Sequence, residues 1–227
     1  MKWWAILFLM LAAQAACASP YSAQGINIWE HVAGSDRPFA MVSPDGKMTV
    51  TARFGVHHGV EGVRLDISGA VAARGLDIGP GVNSELVWSR TKRDFFVTTS
   101  NGGSVGGFHL LVFNGTPMRD VGPLLVRAFG QPVRCAEAEP PNIAGVAWLP
   151  NGHILAAVEI APHSVCDSFG TFRAYEIEAR GRKVYRSYDQ IEAKRLFGQY
   201  MGSELRDADD GCVRDPKSCL ITANHGG

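Results

Sequence analysis

The chain has no excess of charge. Its 22 Lys and Arg residues balance 22 Asp and Glu residues, and no basic block occurs among its 227 positions. Nucleic acid is bound through clustered Lys and Arg, so its usual electrostatic footprint is missing. An anionic membrane surface is disfavoured on the same ground. Beyond residue 18 no apolar run reaches the about 20 residues that cross a bilayer, so no transmembrane span is expected once the leader is removed. The Gly-Lys-Ser/Thr ending of a phosphate-binding loop is absent. His163-Ser-Val-Cys166 has no second ligand pair at zinc-like spacing. No cofactor and no metal site is expected.

Several short matches to catalytic motifs fail on context. Gly102-Gly-Ser104-Val-Gly106 has the spacing of a nucleophile elbow, but a strand rather than a helix follows it. Ser89-Arg-Thr-Lys92 falls in a hairpin turn and lacks its companion motifs. Asp207, Asp209, Asp210 and Gly211 depart from the calcium-loop spacing, and no Glu closes the loop. Asn114-Gly-Thr116 is a glycosylation sequon with meaning only in a eukaryotic secretory route. No catalytic residue is assigned.

The features that are present begin at the first residue. Met1-Lys2 supplies a positive start, Trp3 to Ala16 is uncharged and apolar, and Ala16-Cys17-Ala18 fits the small-x-small pattern of signal-peptide cleavage. Ser19 would then begin the mature chain. Two alternatives remain: the leader stays as an anchor, or Cys17 becomes a lipidated first residue. Gln14 stands where lipoproteins usually carry Leu. The chain is expected to be periplasmic or secreted, or lipid-anchored through Cys17.

Export changes the reading of the five cysteines. With Cys17 in the leader, Cys135, Cys166, Cys212 and Cys219 remain, an even set that suggests two disulfides with three connectivities. Asp215-Pro216 favours a turn between Cys212 and Cys219. These two are expected to pair, which leaves Cys135 with Cys166.

The 26 Gly and 12 Pro residues point to many turns. Phe39 to Phe54 is an apolar run, a Ser-Pro-Asp-Gly-Lys turn and an alternating run; Leu86 to Thr99 and Ala144 to Glu159 have the same shape. Pro presets φ, and Asn, Asp and Gly tolerate the left-handed region, so these read as hairpins. Each is followed by two more strand-like runs: 62–68 and 70–73, 108–113 and 123–129, 171–178 and 183–187. The expected fold is all-β, with three four-stranded antiparallel sheets near 38–75, 85–130 and 142–187.

Val42-Ser-Pro-Asp-Gly-Lys47, and in part Trp148-Leu-Pro-Asn-Gly152 and Trp88-Ser89, resemble the WD40-like repeats of TolB-type β-propellers. The resemblance implies blades arranged as a propeller and says little about activity. Closed propellers usually have four or more blades. Gly25 to Val32 offers one strand at most. Either the sheets stack in an open array or a homodimer completes a ring. Residues 19–37 form an N-terminal segment, 38–187 the propeller-like domain and 188–227 a helix and disulfide-bridged tail. Ser187-Tyr-Asp-Gln190 resembles a capping box. A helix from about Asp189 to Leu205 is expected, with Ile191, Leu196, Phe197, Tyr200, Met201 and Leu205 on its apolar face.

In a meander, the loop between strands two and three shares an end with the connection between sheets. That end gathers 55–61, 101–107 and 161–170, with His57, His58, Ser104, His163 and Asp167 as the expected binding residues. A rigid β scaffold with an export leader and no complete catalytic set reads as a binding module for a protein or cell-envelope component. The alternative is a small periplasmic hydrolase or lyase using the same His and Asp residues.

Overall fold

The computed structural model describes residues 19–69, 74–90, 93–101, 107–115, 117–130, 140–161 and 170–215. They form three antiparallel sheets that follow one another along the chain. The first joins β2 (Phe39–Val42), β3 (Thr49–His57), β4 (Val60–Ser68) and β5 (Arg74–Asp77) in that order. The second has the order β1-β6-β7-β8-β9, from β1 (Ile26–Asn27), β6 (Val82–Trp88), β7 (Phe95–Ser100), β8 (Phe108–Phe113) and β9 (Arg119–Asp120). The third joins β10 (Asn142–Trp148), β11 (Ile154–Glu159), β12 (Phe172–Ile177) and β13 (Val184–Tyr188).

The three expected hairpins are present. Turns at 43–48 and 149–153 join β2 to β3 and β10 to β11, with Ser43 N–H donating to Met48 O at 2.8 Å and Leu149 N–H to His153 O at 2.8 Å, and Ser89 N–H donates to Asp94 O at 2.8 Å where β6 leads to β7. Gly46 and Gly152 sit at φ 70° and 83°, where a side chain would be strained. Asp45 and Asn151 accept from the backbone two residues on, at 3.1 and 3.0 Å. The Pro-Asp-Gly and Pro-Asn-Gly turns therefore share the geometry of their first four residues, and the first closes one residue later than the second.

Alternation along the middle sheet creates two cores. Leu86, Phe95, Val97 and Phe113 join Val50, Ala52, Leu65 and Ile67 of the first sheet. Their neighbours Val87, Phe96, Leu110 and Val112 join Ile143, Val146, Ala156 and Val158 of the third. Successive strand side chains point to opposite faces, so Phe95 and Phe96 anchor different layers. Both are fully buried, and each such side chain contributes roughly 1.5–3 kcal/mol. The sheets thus stack face to face in chain order.

The stack ends differently on its two sides. On the outer face of the first sheet, Arg53 meets Asp66 at 3.6 Å, and Arg64 meets Asp66 and Asp77 at 3.2 and 3.1 Å. Such exposed pairs add little stability, but they make the face compatible with water. The outer face of the third sheet is covered instead. Tyr188 meets Phe197 edge to face at 5.1 Å, and Ala193, Met201 and Leu205 are fully buried in the same core.

Several local features differ from expectation. Gly25 to Val32 supplies the one strand expected of it, the two-residue β1, and then helix α1 (Ile28–Val32), because the Asn27 side chain accepts from Glu30 N–H at 3.3 Å and caps it. Ile28 and Val32 then fill the space between the first two sheets. The middle sheet consequently has five strands rather than four. The apolar run from Pro123 to Phe129 is a helix, α2 (Gly122–Phe129), with Pro in its first turn and Gly130 after it at φ 67°. Of the other weak run, 70–73 lies outside the described residues, and the strand there is β5. The C-terminal helix is not continuous. Helix α3 (Gln190–Phe197) is capped by Asp189 rather than Ser187, a 3-10 turn spans Gly198–Tyr200, and α4 (Ser203–Arg206) follows. Ile191 and Leu196 are 38% and 40% exposed, outside the apolar face assigned to them. A short helix α5 (Gly211–Arg214) ends the described residues.

Candidate binding cleft at the hairpin end

The hairpin turns of the three sheets gather at one end of the stack. Arg93 of the second turn reaches Asp45 of the first at 3.1 Å. Between the second and third turns lies a cleft of about 270 Å³, lined by Ser89, Arg90, Trp148, Leu149, Pro150, Gly152 and Tyr200. Trp148 forms its floor. It is 4% exposed, it stacks on Phe96 with ring centroids 6.0 Å apart, and its Nε1–H donates to Val87 O at 3.2 Å across the two sheets. Tyr200 enters from the 3-10 turn. Arg90 is exposed and, among the described residues, is the only charged one in the lining. The cleft therefore combines two aromatic side chains with one cation, which suits an apolar or aromatic group next to a carboxylate. Among the described residues its lining contains no histidine or carboxylate beside Ser89.

Beside the cleft, Asn151 and His153 reach the outer face of the third sheet. His153 Nδ1 lies 2.5 Å from Glu176 Oε1, Asn151 Nδ2 donates to the same oxygen at 2.8 Å, and Tyr188 donates to Oε2 at 3.1 Å. Burial pushes the Glu176 carboxyl up, but these hydrogen bonds outweigh it and hold the group below its ordinary range. The His153 ring stacks on Tyr185, with centroids 4.3 Å apart. The arrangement orients His153 and holds it beside an anion.

The opposite end carries the loops singled out from the sequence. His57 ends β3 and His58 forms, with Gly59, a two-residue turn at φ 52° and 81°. The expected loop over 55–61 is thus mostly strand, closed by a primed turn that matches strand twist. His58 Nε2 lies 3.6 Å from Asp77. His57 and Val60 face each other in the register, and Val56 and Val60 are 71% and 63% exposed at the hairpin tip. Ser104, His163 and Asp167 lie outside the described residues, as do Cys135, Cys166 and Cys219. Cys212 lies in α5.

This end also holds two buried acids. Glu85 of β6 accepts from Tyr21 N–H and Ser22 N–H at 2.8 and 3.2 Å. Glu159 of β11 accepts from Asn142 Nδ2 at 3.1 Å. Burial pushes both carboxyls up to about 7, against their hydrogen bonds, and Glu204 raises Glu159 further. The Tyr21 phenol is held protonated, first by burial and then by the charges of Glu159, Glu204 and Glu85. Among the described residues no group of three or more His, Cys, Asp or Glu side chains is placed to hold a metal ion. No helix among them is long and apolar enough to cross a membrane.

Sequence reasoning missed the cleft because its lining comes from separate elements. Trp148 and Pro150 belong to a recognisable turn, but Arg90 and Tyr200 lie fifty or more positions away on either side. Comparison with protein-family models, with curated proteins and with solved structures finds no match for this chain.

Proposed function

We propose that this chain is an exported, propeller-like binding module that docks a protein or cell-envelope component. The observation that carries the reading is the cleft between two hairpin tips, with Arg90, Trp148 and Tyr200 in its lining. Trp, Tyr and Arg dominate the binding energy of protein interfaces. Here Arg90 follows β6, Trp148 ends β10 and Tyr200 lies in a 3-10 turn, so packed elements hold them and little order has to be gained on binding. The leader supports export to the periplasm or beyond. The repeated sheets, each opened by the same hairpin, support a propeller-like relationship to TolB-type repeats. A ring completed by a second copy would have to bury Arg53, Arg64, Asp66 and Asp77, so the open stack is the preferred form.

One observation favours the enzymatic alternative: Glu176 orients His153 as a carboxylate orients a general base. Loss of a hydrolytic activity in His153→Ala, with the fold retained, would establish it.

The binding reading is tested with immobilised mature protein and envelope extract, followed by affinity measurement on the retained component. Arg90→Glu and Tyr200→Ala each weaken that affinity by about 30-fold if both are hot spots. Retention of nothing specific, or equal affinity for the parent and both variants, overturns the proposal.

A further inference from the structure

Residues 19–23 form a clasp. Ala23 N–H donates to Tyr200 O at 2.9 Å, Gly202 N–H to Tyr21 O at 3.0 Å and Glu204 N–H to Pro20 O at 2.9 Å. On the other side, the Glu85 carboxylate takes the N–H groups of Tyr21 and Ser22. The first residues of the expected mature chain thus join the middle sheet to the helices that cover the third.

The slot that holds Ser19 is shaped by two glycines. A Cβ on Gly25 would stand 2.3 Å from Ser19 Oγ and 3.1 Å from Glu85 Oε2. A Cβ on Gly202 would stand 2.2 Å from Ser19 O and 2.4 Å from Pro20 O. Neither glycine has a positive φ, so close approach is what each position requires. Ser19 is 3% exposed and Glu85 fully buried. The Ser19 hydroxyl is buried with no hydrogen-bond partner among the described residues; it stands on the same side of Gly25 as the Glu85 carboxylate, at 2.3 and 3.1 Å from the position of a Gly25 Cβ, and the Ser19 nitrogen is three bonds from that hydroxyl. The other influences on Glu85 are its burial and the two backbone donors, none of them a cation. A buried carboxylate without a cation is costly, and a charge partner beside it removes much of that cost.

We infer that Glu85, Gly25 and Gly202 form a pocket for the α-ammonium group of Ser19 created by cleavage of the Ala18–Ser19 bond. The inference rests on the export reading. A signal-type peptidase and one water hydrolyse the bond. Ala18 leaves with the new carboxylate, and the Ser19 amine takes up a proton. Within the intact chain the same nitrogen is an uncharged amide. Processing therefore supplies a cation beside Glu85, where the neighbours acting on its charge among the described residues include none, and tightens the clasp only in the mature protein. Around this pair stand Tyr21 and, farther along the phenol, Glu159 and Glu204.

The test compares two proteins released from a fusion, one beginning at Ser19 and one at Ala18, together with Glu85→Gln and Gly25→Ala in both forms. Chemical unfolding at pH 7 is expected to show the Ser19 form more stable by about tenfold or more in the unfolding constant. Glu85→Gln and Gly25→Ala are expected to abolish that difference, the second with the carboxylate in place. Acylation of the Ser19 amine is expected to be slowed by a similar factor in the folded parent relative to the chain in urea. If Glu85→Gln fails to fold, the acylation rates of the parent and Gly25→Ala decide. Equal stability of the two forms, or an amine that reacts as fast folded as unfolded, overturns the pocket. An exported chain whose intact mass begins elsewhere than Ser19 overturns the processing step and the export reading behind it, a result distinct from either of these.

Discussion

The backbone of Gly145 lies against the ring of Phe96. A Cβ at Gly145 would stand 2.3 Å from Phe96 Cε2 and 2.9 Å from Leu110 Cδ1. Gly145 N–H also donates to Thr98 Oγ1 at 2.9 Å. The third sheet approaches the second this closely because one strand position carries no side chain. Gly145→Ala is therefore expected to overpack the shared core and destabilise the chain by about 1–3 kcal/mol. Urea unfolding of the variant against the parent checks this. A shift of midpoint without change of slope is the expected result.

Glu159 makes stability depend on pH in a defined window. Its folded carboxyl titrates near 7 against an ordinary value of 4.5. Between these values the folded chain holds a proton that the unfolded chain has lost. The contribution is fully present below the window and is lost as pH rises through it, by about 3 kcal/mol in all. Glu159→Gln removes this dependence, so the parent is expected to lose stability relative to the variant from pH 4.5 to 7.5. Unfolding measured across that range gives the difference directly.

The turn at His58 separates a structural role from a binding one. Asn adopts φ near 52° more readily than a β-branched residue. His58→Asn is expected to change stability by no more than about 0.5 kcal/mol, whereas His58→Val costs about 1 kcal/mol. If His58 contacts a partner, the Asn variant loses affinity while keeping its melting temperature.

Leu125 reports on helix α2. It is fully buried and belongs to the core around the third sheet. Leu125→Ala is expected to cost about 2–5 kcal/mol. Val126, on the same helix but 40% exposed, is expected to tolerate the same truncation within about 0.5 kcal/mol. The contrast, measured by thermal unfolding, reports which side of α2 faces the core.

The hairpins were legible because their signals are local. Pro-Asp-Gly and Pro-Asn-Gly restrict the backbone themselves, and the alternating runs beside them suit half-buried strands, so three antiparallel sheets follow from the residues alone. The run from Pro123 to Phe129 was not legible in the same way. Seven residues without clear periodicity suit a strand or a helix, and the helix start at Pro123 and stop at Gly130 decide between them. Asn27 decided the N-terminal segment by a single cap, and Gly198 and Gly202 interrupted the C-terminal helix.

Sequence by itself determined the turn chemistry and the β class, both of which depend on neighbouring residues. Tertiary structure decided which side chains meet. It set Arg90 and Tyr200 beside Trp148, and it closed residues 19–23 between Glu85 and Gly202. These contacts join residues far apart in the chain, and their geometry depends on how the sheets pack rather than on any local preference of the backbone.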